Sequence, residues 1–415
     1  MARVFPFRAY RYSERAGALD ELVTQPYDKI TPQMQARYLS LSPHNTVRVI
    51  LGPRFPTDSD ADNVYTRARR YLDDWITAGI LLQEPEPCLY AYFQEFTDPD
   101  SGERLLRQGL IGLGAVEDYS EGVVHRHEQT LTGPKQDRLE LLRRTRAHWG
   151  HIFMLYPDAA GAVDSLLDEA AQAPPLASVL DEYQARHTLW RIAGRAGIAR
   201  IQQGMAGQKL LIADGHHRYE TALAFRREHP ELPGAGRVMM TFVNMHSPGL
   251  RILATHRVVR GLAGFEAETF LRRAAETGFR VQPAGTLEAL RGAWAQDHAD
   301  RVLFGAAVAG CEGIYLLTGE RTAGELHLRV LHEKLLGGVL GISEQAVREE
   351  KHVRYVRGLD AALNEVRQGD AQVALLVEPT PVEDVARVAF SGGVMPQKST
   401  DFYPKLLSGL TIYRL

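Results

Sequence analysis

The chain has 415 residues, 45% hydrophobic and 24% charged, with a formal net charge of −3 and a sequence pI near 6.6. These are the proportions of a soluble globular protein of two or three domains, and they exclude polyanion binding by bulk charge; a nucleic-acid surface would have to be a local basic patch. No stretch reaches the ~18 apolar residues of a membrane span, the basic aromatic start MARVFPFRAYRY lacks the apolar core of a signal peptide, and the two cysteines, Cys88 and Cys311, form no metal or disulfide pattern, so a cytoplasmic protein is expected.

Residues 1–30 read as extended, with proline breaking the apolar runs Val4-Phe5-Pro6-Phe7 and Leu22 to Tyr27. Thr31-Pro32 predicts a capped helix start. Thr46 to Leu51 predicts a strand, and Asp58 to Ala78 a helix with Val64, Ala68, Tyr71, Leu72 and Trp75 on one face. Leu89 to Phe96 and Leu105 to Val116 predict an antiparallel pair around the turn Asp98-Pro99-Asp100-Ser101-Gly102. A helix is expected from about Lys135 to Arg146, then a strand over Ile152 to Tyr156, a helical stretch near 162–172 and a strand over His187 to Ile192. Leu210 to Ala213 reads as a strand, the helix after it runs to about Arg227, and strands are expected over Arg237 to Asn244 and Ile252 to Arg257. Beyond Phe265, helices near 266–276 and 286–297 flank strands at 301–308, 313–317 and 326–330. Leu331 to Leu340 reads as a helix and Ala371 to Val377 as a buried strand.

Chemistry concentrates at Asp214-Gly215-His216-His217-Arg218, where an apolar strand stops and a helix starts. The first N–H groups of a helix are unpaired and attract anions. Gly215 permits a tight turn or close approach of a ligand. Arg218 offers a planar fork for phosphate, and His216 and His217 can donate to phosphate oxygens, move protons or bind a metal. Asp214 can hold Mg²⁺, orient a histidine or act as a base. Adjacent histidines diverge on a helix and no HExxH pattern occurs, which argues against a zinc-hydrolase site.

A second polar cluster joins His127, Glu128, Gln129 and Thr130 to Lys135, Asp137 and Arg138, with Glu128 a candidate base, His127 a phosphate donor and Arg138 a clamp. A third is Lys398-Ser399-Thr400 with Lys405, bracketed by Pro396 and Pro404. It lacks the glycine run of a P-loop but offers phosphate-type donors. Asp28 in Pro26-Tyr27-Asp28, and His256 and Arg257 in Thr255-His256-Arg257, are smaller candidates for substrate contact.

These ordered segments, with Met395-Pro396-Gln397-Lys398-Ser399-Thr400, resemble a widespread prokaryotic family of unknown function that is often labelled ParB-like. The DGHHR box is more remotely similar to the ParB/sulfiredoxin superfamily, which includes free-serine kinases and binds nucleotide phosphates at such a box. The resemblance implies an α+β fold. A ParB/sulfiredoxin-like mixed-sheet core would span residues 1–262, and a C-terminal α/β part would span 263–415 and return its last loop to the site.

By the resemblance, Gly215, His216, His217 and Arg218 match the phosphate-binding box; the reading of the residues themselves adds His127, Arg138, Lys398, Ser399 and Thr400 as phosphate or nucleotide contacts, with Asp214, Glu128 and His217 catalytic. ATP or ADP and Mg²⁺ at Asp214 are the cofactors expected. The chain has no cysteine at the box and no obvious helix-turn-helix after it, so sulfiredoxin chemistry and DNA partitioning fit less well than phosphoryl transfer to a small hydroxyl metabolite such as serine. Hydrolysis of a phosphoserine-like ester, and a non-catalytic nucleotide- or DNA-binding protein, are the alternatives; the pI argues against nucleic acid.

Overall fold

The computed structural model describes residues 2–128, 132–296, 300–322 and 324–415; Gln129 and Thr130 of the second cluster lie outside them. The chain forms two compact units, Met1–Arg251 with Pro404–Leu415, and Ile252–Tyr403. The first division falls at Arg251 rather than at residue 262, and the last twelve residues fold with the first unit.

The first unit is built on a nine-stranded mixed sheet. In chain order its strands are β1 (Val4–Phe5), β2 (Leu89–Thr97), β3 (Arg104–Ala115), β4 (Val124–His125), β5 (Ile152–Tyr156), β6 (Ala177–Leu180), β7 (Arg186–Ile192), β8 (Leu210–Asp214) and β9 (Arg237–Asn244). They lie in the order β4-β8-β5-β9-β3-β2-β7-β6, with β1 paired to β3. The expected hairpin is present, β2 and β3 pairing antiparallel from Tyr90↔Ile111 to Thr97↔Arg104. β8 and β5 are wholly or almost wholly buried, which suits their unbroken apolar runs. Around the sheet lie α1 (Pro32–Leu41), α2 (Val64–Thr77), α3 (Thr132–Thr145), α4 (Ala162–Ala170), α5 (Arg195–Met205) and α6 (His216–Glu228). Val163 and Leu167 of α4, Ile198, Ile201 and Met205 of α5, and Tyr219, Ala222 and Leu223 of α6 share one core with Ile152, Met154, Leu210 and Ile212. Helical spacing of three and four puts those side chains on single faces.

The second unit holds a six-stranded antiparallel sheet of β10 (Thr255–Val259), β11 (Arg280–Pro283), β12 (Arg301–Val308), β13 (Tyr315–Glu320), β14 (Val353–Arg357) and β15 (Val373–Leu376), ordered β11-β13-β12-β15-β10-β14. Its helices include α7 (Ala267–Glu276), α8 (Leu287–Trp294), α9 (His327–Val330), α10 (Leu359–Arg367) and α11 (Val382–Phe390). The α+β expectation, a mixed-sheet core followed by a second α/β part, is met. No helix among the described residues is long and apolar enough to cross a membrane.

Three local expectations are corrected. Residues 46–51 are not a strand; Val47–Ile50 is a helical turn, nucleated where Asn45 Oδ1 accepts the Val47 N–H at 2.9 Å. Such a local side-chain-to-backbone hydrogen bond competes with the β-branched composition of the run. Helix α2 starts at Val64 rather than Asp58, because Asn63 and Thr66 form a capping box there. Residues 326–330 are not a strand. They enter α9, which runs into a π-helix over Leu331–Val339, and Leu328, Leu331 and Leu335 are buried at helical spacing. A short apolar run fits either period, and the longer pattern decides it.

Candidate functional site

Asp214 ends β8, and Gly215 caps α6 with φ 95°, ψ 27° in the left-handed region. A Cβ on Gly215 would lie 3.0 Å from Arg218 Nε and 3.1 Å from its Nη2. Glycine thus serves twice here, by accepting the turn and by letting the Arg218 guanidinium fold back over the helix start. Arg218 donates to the His151 carbonyl at 2.5 Å and lies 3.8 Å from Asp214 Oδ1. The other carboxylate oxygen, Oδ2, faces Lys405 Nζ at 3.2 Å. Burial alone would raise the Asp214 pKa, but Lys405, Arg218 and Lys29 together hold it far below the usual carboxylate range. The carboxylate is therefore ionised at any physiological pH, inside a cluster with a surplus of positive charge.

The segment Tyr27–Lys29 is a 3₁₀ turn that brings a second wall to the site. Tyr27 lies under the Arg138 guanidinium, 4.2 Å from ring centroid to Cζ. Its hydroxyl is pushed up to about 12, chiefly by burial and then by Asp28, with Arg138 and Arg218 opposing and Asp214 adding. Three sequence-predicted segments, around Tyr27, Arg138 and Asp214, thus share one electrostatic environment. Arg138 is not an open clamp: its Nε donates to Asp137 at 2.9 Å and Nη1 to the Ile50 carbonyl at 2.5 Å. Tyr27, Arg138, Leu141, Trp149, Arg218 and Ser408 line a cleft beside these groups. Its walls are largely apolar and its charged groups are the two guanidiniums.

His127 and His216 meet edge to face at 4.8 Å, both buried. Desolvation pushes His127 down to about 4 and His216 well below its ordinary value, so both rings are neutral near pH 7. His127 is held by a hydrogen bond to the Ile212 backbone, whereas His216 Nε2 has no hydrogen-bond partner among the described residues. Glu128, which follows His127, and His217, which follows His216, are both half-buried. Glu220, one turn further on, is buried and paired with Arg126 at 3.3 Å and Lys135 at 3.2 Å.

Lys405 is the side chain of this cluster that the sequence does not single out, since there it groups with Lys398. It is buried, and a buried network positions the strand of chain that carries it. Gln94 Nε2 donates to the Lys405 carbonyl at 2.9 Å, and Arg107, fully buried, donates to Gln94 Oε1 at 3.0 Å and to the Pro404 carbonyl. Behind Gln94, Tyr92 Oη and His187 Nδ1 are 2.6 Å apart, and His187 Nε2 lies 3.3 Å from Asp181 Oδ2. Asp181 in turn accepts from Gln25 at 3.2 Å, two residues before Tyr27. A continuous polar chain thus links the segments bearing Lys29 and Lys405.

The remaining candidates, Asp28 apart, belong to the second unit. Lys398 is exposed in the left-handed region at φ 56°, and Thr400 is half-buried. Ser399 is buried, and its hydroxyl donates to the Pro396 carbonyl at 2.6 Å, closing its own turn rather than presenting a donor. His256 and Arg257, expected at substrate, are buried in β10. His256 Nδ1 accepts the Val377 N–H at 3.3 Å, and Arg257 donates to the carbonyls of Thr255, Gln397 and Lys398. Both brace backbone. Asp28 is exposed. Among the described residues, no group of three or more His, Cys, Asp or Glu side chains could hold a metal.

Residues 4–361 match the family described as "Protein of unknown function (DUF1015)", and the chain belongs to that family. No curated protein matches. Among solved structures, a conserved hypothetical protein from Pyrococcus furiosus is 14% identical, covering 69% of this chain and 91% of that one, at TM-score 0.35. A free serine kinase in complex with AMP is 14% identical, covering 69% and 88%, at TM-score 0.38. SbnI with a C-terminal truncation, from Staphylococcus aureus, is 13% identical, covering 71% and 84%, at TM-score 0.36.

Proposed function

We propose that this DUF1015 protein is a nucleotide-dependent phosphotransferase acting on a small hydroxyl metabolite in the cytoplasm, with serine as the first acceptor to test. The supporting observation is the gathering of Lys29, Arg218 and Lys405 around Asp214 at the N-terminus of α6. Phosphoryl transfer asks little covalent chemistry of a protein. It asks for fixed positive charge around the equatorial and leaving-group oxygens, and this cluster supplies it. The apolar cleft beside Tyr27 and Arg138 suits the base of ATP or ADP, and Gly215, His216 and Arg218 suit its phosphates.

In the reaction the acceptor hydroxyl oxygen forms a bond to the terminal phosphorus, the bridging P–O bond breaks, and the hydroxyl proton passes to a base. Asp214 is a poor choice for that base, since a carboxylate held so far below its usual range has little affinity for a proton. Its role is to hold Lys405 and Arg218 in register. Glu128 and His217, each adjacent to the His127–His216 contact, are the proposed proton acceptors. Both Asp214 oxygens already face cations, so the residues do not fit an all-protein Mg²⁺ site. A magnesium ion would enter with the nucleotide, with phosphate oxygens as its main ligands.

The test is a coupled assay with serine plus ATP or ADP, run beside phosphoserine alone. Formation of phosphoserine with loss of one nucleotide phosphate supports transfer. Phosphate release from phosphoserine without nucleotide replaces transfer with hydrolysis. No product together with no nucleotide binding overturns both.

A further inference from the structure

A second concentration of positive charge lies in the first unit, built from residues other than those around Asp214. Arg69 of α2, Arg143 and Arg144 at the end of α3, Arg146 just after it, and Arg414 line one groove with Thr66 and the half-buried Leu415. Part of this charge has a structural task. Basic groups in the last turn of α3 complement its dipole, and Arg69 Nη1 donates to the Arg144 carbonyl at 3.1 Å. Asp73 pairs with both Arg69 and Arg414, and Arg143 pairs with Glu140 and Glu228.

Three side-chain carboxylates thus pair with three of the five guanidiniums, and neither Arg144 nor Arg146 makes an ion pair with a side chain among the described residues. Glu231 feels Arg146 only at a distance and pairs with His229. Arg146 is also held at φ 49°, a left-handed conformation that strains a residue with a long side chain. The surrounding structure keeps it there: its N–H bonds the Leu142 carbonyl and its own carbonyl accepts the Leu415 N–H.

We propose that this groove binds an oligophosphate, a run of two or three linked phosphates on a small molecule. Guanidinium forks match phosphate oxygens two at a time, and several converging on one concavity match a compact, charge-dense ligand. The groove has no aromatic side chain on which a base could stack, which disfavours single-stranded nucleic acid. It also lacks the buried apolar anchors of a peptide-docking site.

The probe is inorganic tripolyphosphate, titrated calorimetrically into the full chain at low and physiological salt. Arg144→Ala and Arg146→Ala change exposed side chains without ion pairs, so both variants keep the fold. A Lys405→Ala variant isolates the groove from the cluster at Asp214. We expect binding that survives Lys405→Ala and weakens about tenfold or more in the double Arg144→Ala/Arg146→Ala variant, as for loss of one or two charge-assisted contacts. Unchanged binding in that double variant, loss of all binding in Lys405→Ala, or tight binding of duplex DNA in place of tripolyphosphate would each overturn the proposal. The readout needs no phosphotransferase activity, so it stands or falls independently of that reading.

Discussion

Lys405 Nζ lies 3.2 Å from Asp214 Oδ2, joining the last segment of the chain to the turn between β8 and α6. The lysine side chain is 9% exposed and the carboxylate 21%, so water screens the pair only in part. Replacing Lys405 with Ala leaves Asp214 with Arg218 and Lys29 alone. The expected loss is of order 2–3 kcal/mol, at the low end for a broken buried pair because those two cations remain. Chemical denaturation of the variant measures it, and an unchanged midpoint would show that the pair contributes nothing.

The same cluster sets an acid limit. Asp214 has a folded-state pKa depressed well below its unfolded value, so its stabilisation is fully present above about pH 4 and is lost as pH falls below it. Asp214→Asn should flatten the loss of stability below about pH 4 and leave the slope above it unchanged. Denaturation midpoints from neutral pH down to pH 3 check the sign; a parallel shift of the whole curve would contradict it.

Buried histidines act in a different window. His127 is pushed down to about 4 and His151 to about 3, both chiefly by desolvation. Between about pH 6.5 and those values the unfolded chain binds protons that the folded one does not, so stability falls as pH falls, by roughly 1 kcal/mol per unit for each ring. His151 bridges Thr241 at 2.7 Å and Thr411 at 3.0 Å, so His127→Gln is the cleaner probe. It should reduce the slope between about pH 6.5 and 4 while Asp214→Asn does not.

The strand, turn and helix from Leu210 to Glu220 were legible because an apolar run, a glycine and polar side chains coincide there. The hairpin over Leu89 to Val116 was legible from its turn. The Lys405 contact was not, because no periodicity or spacing ties residue 405 to residue 214; only the fold of the unit does. Ser399 misled for the opposite reason. Its hydroxyl looks like a ligand donor in sequence but is used within three residues, on the Pro396 carbonyl. His256 and Arg257 looked like the polar end of a strand, yet β10 buries both and spends them on backbone.

Gly215 allows strain to be separated from displacement. Gly215→Ala places a Cβ at φ 95° and 3.0 Å from Arg218 Nε, whereas Gly207→Ala places one at φ 92° with nothing within 4 Å. Both should cost about 1–2 kcal/mol of stability from the left-handed backbone. Only Gly215→Ala should also weaken nucleotide binding, by moving Arg218. Equal binding by the two variants, measured by calorimetry with ADP, would remove Arg218 from the proposed phosphate site.

Gln94 offers the sharpest test of how the site is positioned. Its amide donates to the Lys405 carbonyl and accepts from the buried Arg107, so Gln94→Met leaves a fully buried guanidinium with fewer acceptors. The stability cost should be about 3 kcal/mol. Its effect on nucleotide binding follows another rule. If Gln94 acts on the ligand only by placing Lys405, the substitution weakens ADP binding in the wild-type chain but adds nothing in a Lys405→Ala background. The two losses would then be far from additive, as residues in one network require. Additive losses in that double-mutant cycle would mean that Gln94 reaches the ligand by a route that does not pass through Lys405.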